Sequence, residues 1–600
     1  MNARGLLGVV GLALALGGAQ MASSAEIGIQ AIPGQAEVGT VEIHGLAAGV
    51  FDPSLWEKGS LHFLPDTRSP ILAPRNSGVF RNIYAPSAVE TRYGWRLFYG
   101  AWDGVPSGND RIYSVETGNF LDFDERHLII DHGPFIHVCN VSAIPGASGG
   151  YELMCTAYPD SAGLNKPAYF SSPDGKTWNG APAPYSAQTS DLISIEGYPP
   201  FAAADINGMN VLLKEEDSYR LYFCNFKDRG QVFRASSKDP KHFQYEGHAL
   251  ESRHFVNDVK KVAVGGEAWY LMALHGNGPQ LFYSLSTDGL HFSPEQELAG
   301  NLGAEDKHMV AVGWVLRGSR VLGFLYGAGA VPSLDRNRLF GRWLQKRVVF
   351  VAEDGTRYEP DRALGPDRQI LKVPADREIK GRFEFHREDG VTRIGDSIPA
   401  AIRSGQVFQA DILPSPEEGI DLLESGLSGW VSDHGGDPTG WIIKEGILTF
   451  TGQGSSIRLK ESGYGDFLLS LEYRLPVGGN SGVFIRNFDN VLDTFHAFEI
   501  QVLDDKAEVY KDIKPYQHAG SIYAVVPAAK DAIRPAGEWN RMEILCLGSR
   551  IRVRINGEGV ADADVDAYEQ LRHRPRRGTI GLQNHGSTLE FRSLRLVRLD

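Results

Sequence analysis

The chain has 600 residues, more than a single hydrophobic core usually organises, so two or more domains are expected. Gly is abundant at 69 residues and the aromatic share is 10%, a composition that favours many strands joined by tight turns. A formal net charge of -14 with no basic stripe argues against a nucleic-acid partner, and four Cys in so long a chain exclude a disulfide scaffold.

Taken in chain order, Arg4 precedes an apolar run from Leu6 to about Leu16, and Ser23, Ser24 and Ala25 supply small residues before Glu26. This pattern predicts a signal peptide over 1–25 and an exported protein, periplasmic or secreted. The run is too short to span a bilayer, and no Cys follows it to carry a lipid, so no membrane partner is expected after cleavage. Residues 26–75 read as a lead segment with strand-like pieces at 41–44 and 60–64.

A repeat then begins. A hydrophobic strand (WRLFYGAW from Trp95, YELMCTAY from Tyr151, YRLYFCNF from Tyr219, AWYLMALHG from Ala268, RVLGFLYG from Arg320) is followed by a second strand that ends in a turn with an aromatic behind it. The second members start at Tyr113, Tyr169, Val232, Phe282 and Val348. Their turn residues Thr117, Asp174, Asp239, Asp288 and Asp354 recur roughly every 50 to 65 residues, the length of a four-stranded blade. Five units over 76–360 predict a five-bladed β-propeller. Trp178, Phe292 and Tyr358 would cover blade cores behind turns that are read as structural. Cys139 and Cys155 flank a Gly-rich turn, and either a cross-strand disulfide or two buried free thiols fits. Cys224 and Cys546 read as core.

These repeats resemble the five-bladed propellers of arabinanase and invertase type glycoside hydrolases, which carry acids on their innermost strands. The resemblance implies that one carboxylate protonates the leaving oxygen while another attacks or activates water. Here Asp205, Asp258, Glu305 and Asp306 are the available carboxylates, while the first two blades offer Asn82, His137 and Asn140 instead. The propeller is therefore expected to bind or position a glycan, or only to scaffold, with hydrolysis there as the alternative. Residues 361–419 lose the repeat and read as an irregular, strand-bearing linker region that ends in Leu413-Pro414-Ser415-Pro416.

From 420 to 600 short alternating strands separated by Gly turns predict a two-sheet antiparallel sandwich, with Asn556-Gly557 as a hairpin turn. Trp539 reads as core. In GNSGVFIR, Asn480, Gly482, Phe484 and Arg486 share one face; in the next run Glu499 and Gln501 oppose Phe498, Ile500 and Val502. A third run alternates Gly581, Gln583 and His585 against Ile580 and Leu582.

The ordered segments GWIIKEGILTFTG, GNSGVFIR, EIQVLDD, HAGSIY, RPAGEWNRMEI, INGEGV and GTIGLQNHG with LEFRSLRLVRL resemble the 3-keto-disaccharide hydrolase family, also described as 3-keto-glucoside 1,2-lyase and 3-keto-2-hydroxy-glucal hydratase. The resemblance implies a concanavalin-like jelly roll acting on an oligosaccharide or glycoside. A ketone at sugar carbon 3 acidifies the proton on carbon 2, so the site needs a base, donors at the carbonyl oxygen and a proton source for the leaving group. Glu499 is the candidate base, Arg486 the carbonyl or hydroxyl holder, and His518 an acid or base in the loop before Tyr523. Asn480, Gln501, Tyr523, Gln583 and His585 are candidate substrate contacts. Arg486 and Glu499 could instead form a structural cross-strand ion pair, and His585 could merely orient its turn. Glu499, His518, Asp504 and His585 are ligand types for a divalent metal, without a compact spacing motif.

Overall fold

The computed structural model describes residues 26–45, 51–68, 70–72, 82–102, 109–146, 149–159, 163–332 and 336–600. The expected leader over 1–25 and Arg81 lie outside the described residues. The protein is predominantly β-sheet, and its one α-helix among the described residues is the single turn Pro53–Trp56. No helix among these residues is long and apolar enough to cross a membrane.

Between residues 82 and 344 the strands form five sheets, antiparallel except where Tyr185–Ser186 and Ser194–Glu196 add a parallel edge strand to the first and the third. Their first strands, Asn82–Thr91, His137–Pro145, Ile206–Lys214, Phe255–Val264 and His308–Arg317, touch one another in order, and the fifth returns to the first. Each of the five carries a register shift near its start, at Tyr84/Ser87, Cys139/Ser142, Asn207/Val211, Val256/Asp258 and Met309/Ala311. A bulge adds local twist and bends a strand, so its recurrence is a structural counterpart of the sequence repeat. The turn aspartates are structural: Asp174 and Asp288 each accept two backbone amides two and three residues on, and Trp178 is buried behind the first of these turns.

The fifth sheet corrects one expectation. Its third strand is Arg338–Leu344 and its fourth is Phe63–Pro65, drawn from the lead segment. The run from Val348 instead forms Arg347–Ala352, which pairs with Ile379–His386 in a separate sheet. Its apolar residues Val348, Phe350 and Ala352 pack in a core with Phe383, Phe385 and Phe408, outside the ring of five sheets. A second sheet over the same core joins Glu26–Ile32 and Thr40–His44 to Val407–Leu413 and Arg368–Lys372. The lead segment and the region read as a linker are thus partners in one two-sheet unit.

Cys139 pairs in register with Thr156, which turns the neighbouring Cys155 to the opposite face of the sheet. The two sit in different apolar clusters, and all four cysteines are free and buried.

The C-terminal unit has an eight-stranded and a five-stranded antiparallel sheet that contribute to one apolar core. Asn556 and Gly557 make the two-residue turn between Arg550–Ile555 and Glu558–Asp564, both with positive φ, as a type I′ hairpin requires. Trp539 is half-buried and lies between the guanidinium groups of Arg474 and Arg592, at 4.8 and 4.1 Å from its ring, on the outer side of the larger sheet.

Candidate active site

The site is built on the smaller sheet of the C-terminal unit. Ser481, Val483 and Ile485 turn inward from the strand Asn480–Asn487, with Val483 and Ile485 in the core; Phe498, Ile500 and Val502 do the same from Phe498–Leu503, and Ile580 and Leu582 from Thr579–Leu582. Period two then sends their alternates to the other face. The register lines these up in two rows: Arg458, Gly581, Phe484 and Glu499 in one, Gln583, Gly482 and Gln501 in the next.

Glu499 is only 2% exposed. Its carboxyl leans across Gly482, where a Cβ atom would come within 2.2 Å of Oε1; glycine is needed for that approach. Thr494 Oγ1 donates to Glu499 Oε2 at 2.5 Å. Burial pushes the carboxyl up to about 7, opposed by hydrogen bonds from Thr494 and Gln583, and no cation contributes. Beside it, Gln501 Nε2 donates to Asn480 Oδ1 at 3.3 Å, and the buried Gln583 Oε1 has no hydrogen-bond partner among the described residues. The result is a carboxyl poised to exchange a proton near neutral pH, flanked by three side-chain amides.

Arg486 does not join this group. It has φ +47°, and the register shifts between Phe484 and Asn487, so a bulge breaks the alternation that would have placed it beside Glu499. Its fully buried guanidinium donates to the carbonyls of Gly465 and Gly548 at 2.8 and 2.9 Å and pairs with Asp466 at 3.3 Å. Asp466 also binds Arg317 and Arg320 from the fifth sheet of the ring, at 3.0 and 3.3 Å. Arg486 therefore belongs to the junction between two units, and the cross-strand pair with Glu499 does not form.

His518 lies beside Asp505, with Nδ1 3.3 Å from Oδ1, and no hydrogen bond among the described residues joins it to Glu499. Burial pushes the Asp505 carboxyl up, while the Ala519 amide and His518 oppose this. Tyr523 touches the site through its backbone, donating its amide to the Glu499 carbonyl at 2.9 Å, while its hydroxyl accepts from Gln517. His585 is exposed in its turn. Asp504 caps the Gly478 amide. Glu499, His518, Asp504 and His585 do not converge, and no group of three His, Cys, Asp or Glu among the described residues is arranged to hold a metal ion.

Three contributors were not legible in the sequence. Thr494 sits in an irregular loop without periodicity. Leu492, from the same loop, packs over Gly581. Arg458 reaches the face only through the pairing of Ile457–Leu459 with Thr579–Leu582; its Nε has no hydrogen-bond partner among the described residues.

The carboxylates of the five-sheet ring are occupied differently. Asp258 accepts the Trp314 amide at 2.9 Å and pairs with Lys260 at 3.0 Å. Asp306 accepts the amides of Leu302 and Gly303 and the hydroxyl of Tyr326. Asp205 accepts from Asn165, and Glu305 pairs with Arg338.

A β-fructofuranosidase structure from Bombyx mori is 12% identical, covers 91% of this chain and 96% of its own, and has a TM-score of 0.33. A crystal structure from Parabacteroides distasonis, provisionally named a glycosyl hydrolase, is 29% identical, covers 28% of this chain and 99% of its own, and has a TM-score of 0.26. Scores this low fix neither the fold nor the activity of this chain. A curated 3-keto-disaccharide hydrolase from Bacteroides thetaiotaomicron is 26% identical over 238 residues, 31% of this chain and 81% of that protein. Residues 420–597 match the family model of the 3-keto-alpha-glucoside-1,2-lyase-like domain, and it is the C-terminal unit carrying Glu499 that the match covers.

Proposed function

We propose that the protein is an exported carbohydrate-active enzyme whose C-terminal unit cleaves 3-keto-glycosides. The observation that carries this reading is Glu499, a buried carboxyl pushed up to about 7 with no cation beside it. A base with that affinity for protons matches the task of removing a carbon-bound proton near neutral pH. The match of residues 420–597 and the relative's name supply the substrate class.

In this scheme the Glu499 carboxylate takes the proton from sugar carbon 2, acidified by the ketone at carbon 3. The electron pair moves to the carbonyl oxygen, for which the amides of Gln501, Gln583 and Asn480 are the candidate donors. The enolate then expels the aglycone from carbon 1, and the proton passes to the leaving oxygen. Water adds across the resulting double bond, giving net hydrolysis. Closure of the loop bearing Leu492 and Thr494 over the sheet keeps bulk water from Glu499, so substrate entry requires that loop to move.

The same proposal reads the five sheets as blades of a propeller that binds or positions the glycan, and the C-terminal unit as a concanavalin-like jelly roll. Incubating the purified protein with a 3-keto-glucoside and with its unoxidised counterpart tests it. Aglycone release from the keto substrate alone is expected; no release would end the proposal. A second reading, a non-catalytic sugar-binding unit, is favoured by the low exposure of Glu499. It predicts glycan binding that survives Glu499→Gln and no turnover in either form.

A further inference from the structure

A cleft of about 810 Å³ lies between the two-sheet unit formed by residues 26–44 and 347–413 and the outer side of the C-terminal unit's larger sheet. One wall comes from Glu26–Ile32 and Val407–Leu413, the other from Arg550–Ile555 and Glu558–Asp564. Its size falls within the range of small-ligand sites.

The cleft is charged in detail and neutral in sum. Arg550 holds Asp562 through two contacts of 2.6 and 2.8 Å, Arg552 pairs with Asp411 across the cleft at 2.6 Å, and Arg554 faces Glu543 at 3.9 Å. Each guanidinium faces a carboxylate, Glu543 being shared with Arg541 at 3.0 Å, so a charged ligand would have to displace one. Gln409, 1% exposed, lines the cleft; its Nε2 donates to Asp411 at 3.1 Å, while its Oε1 has no hydrogen-bond partner among the described residues. A buried amide oxygen left in this state is costly unless something donates to it. Between the ion pairs the walls are aliphatic, including Ile29, Leu413, Leu545 and Val560.

A surface that alternates donors, acceptors and aliphatic patches without net charge matches a ligand that both donates and accepts and has apolar C–H faces. We infer that this interdomain cleft is a binding site for a neutral oligosaccharide, separate from Glu499 and seated on the Arg550, Arg552 and Gln409 side chains. The cleft also connects to the candidate active site. Val526, Pro527 and Ala529 line it, and the same segment reaches back to Tyr523, which bonds the Glu499 carbonyl. A chain held in the cleft would therefore lean on the segment that borders the Glu499 strand.

The inference rests on the reading of the protein as carbohydrate-acting, but its test does not need turnover. Gly28 and Gly559 line opposite walls, neither has a positive φ, and a Cβ added at either meets nothing within 4 Å. A side chain at each strand position thus starts into open space, and tryptophan there would project its indole into the cleft. Calorimetric titration of full-length Glu499→Gln protein with maltotriose, cellotriose and laminaritriose is the experiment, repeated with Gly28→Trp and with Gly559→Trp added. At least one trisaccharide is expected to bind, and each added tryptophan should weaken it roughly tenfold or more at an unchanged melting temperature. Failure of all three sugars to bind, or affinity unchanged by either tryptophan, would overturn the inference. Absence of turnover on 3-keto-glycosides would count against the Glu499 chemistry alone.

Discussion

Two regions of the molecule hold buried carboxylates in opposite surroundings. In the five-sheet ring, Asp258 and Asp306 are closed off by backbone amides, a lysine and a tyrosine hydroxyl. In the C-terminal unit, Glu499 receives a threonine hydroxyl and a glutamine amide but no cation, and burial dominates its proton affinity. A carboxylate held by several donors and a cation fits a structural part, and in the function proposed above the buried, under-compensated one is the reactive part. The side-chain type is nearly the same, so the surroundings decide the role.

The sharpest way to break this comparison is Glu499→Gln. Turnover of a 3-keto-glucoside should fall about 10³-fold, within the usual range for loss of a general base. In the native enzyme kcat/KM should rise with pH and level off above about 7, as the carboxyl ionises. Stability moves the other way. Because the folded-state affinity is raised above the ordinary glutamate value, the folded protein holds this proton more tightly. This stabilising contribution is present below the unfolded pKa and is lost as pH rises from about 4.5 to about 7, on the order of 3 kcal/mol. Glu499→Gln should flatten that part of the stability profile without lowering stability at neutral pH. A large stability loss at neutral pH would make Glu499 a structural residue like those of the ring.

Asp466→Ala offers the reverse test. Asp466 gathers Arg317, Arg320 and Arg486 and accepts the Gly548 amide at 2.9 Å. Removing it takes the shared carboxylate from three buried guanidinium groups, which keep only carbonyls and more distant acids, and should cost about 3–5 kcal/mol, measured by denaturant unfolding. A neutral result would mean that the junction between the ring and the C-terminal unit does not depend on this cluster.

Much of this was visible in the chain. Alternation placed Glu499, Gln501 and Gln583 on one surface because period two depends only on unbroken strands. It failed at Arg486 because a bulge is a local backbone event with no side-chain signature, and the left-handed conformation there turns the guanidinium into the unit junction. The ring repeat was legible through its recurring order of apolar strand, second strand, turn and aromatic, yet its fifth member was misassigned. Val348 to Tyr358 has the same pattern of apolar strand, turn and aromatic, and only long-range pairing separates Arg347–Ala352 from Arg338–Leu344. Pairing of residues 26–44 with 360–413 had no local signal, since strands so far apart in sequence announce neither partner nor register.

A smaller effect is expected at Gly482. In Gly482→Ala the new methyl would lie 2.2 Å from Glu499 Oε1, so the carboxyl must turn away from Gln583 or the strands must part. A loss of about 10- to 100-fold in kcat/KM, with about 1–3 kcal/mol of stability, is expected. Activity preserved within twofold would show that the position of the carboxyl over Gly482 is not the reactive one.

The smallest effect should come from the ring itself, through Asp205→Asn. Asp205 accepts from the Asn165 backbone and side-chain amides at 3.3 and 2.8 Å, and an asparagine oxygen can still take both bonds. Turnover of a 3-keto-glucoside should then change by less than about twofold, as for a structural polar group whose bonds are kept. A loss approaching that of Glu499→Gln, measured on the same substrate, would place the chemistry in the ring. The contrast between the two regions would then have been drawn the wrong way round, because a half-buried carboxylate with satisfied partners would be the one that reacts.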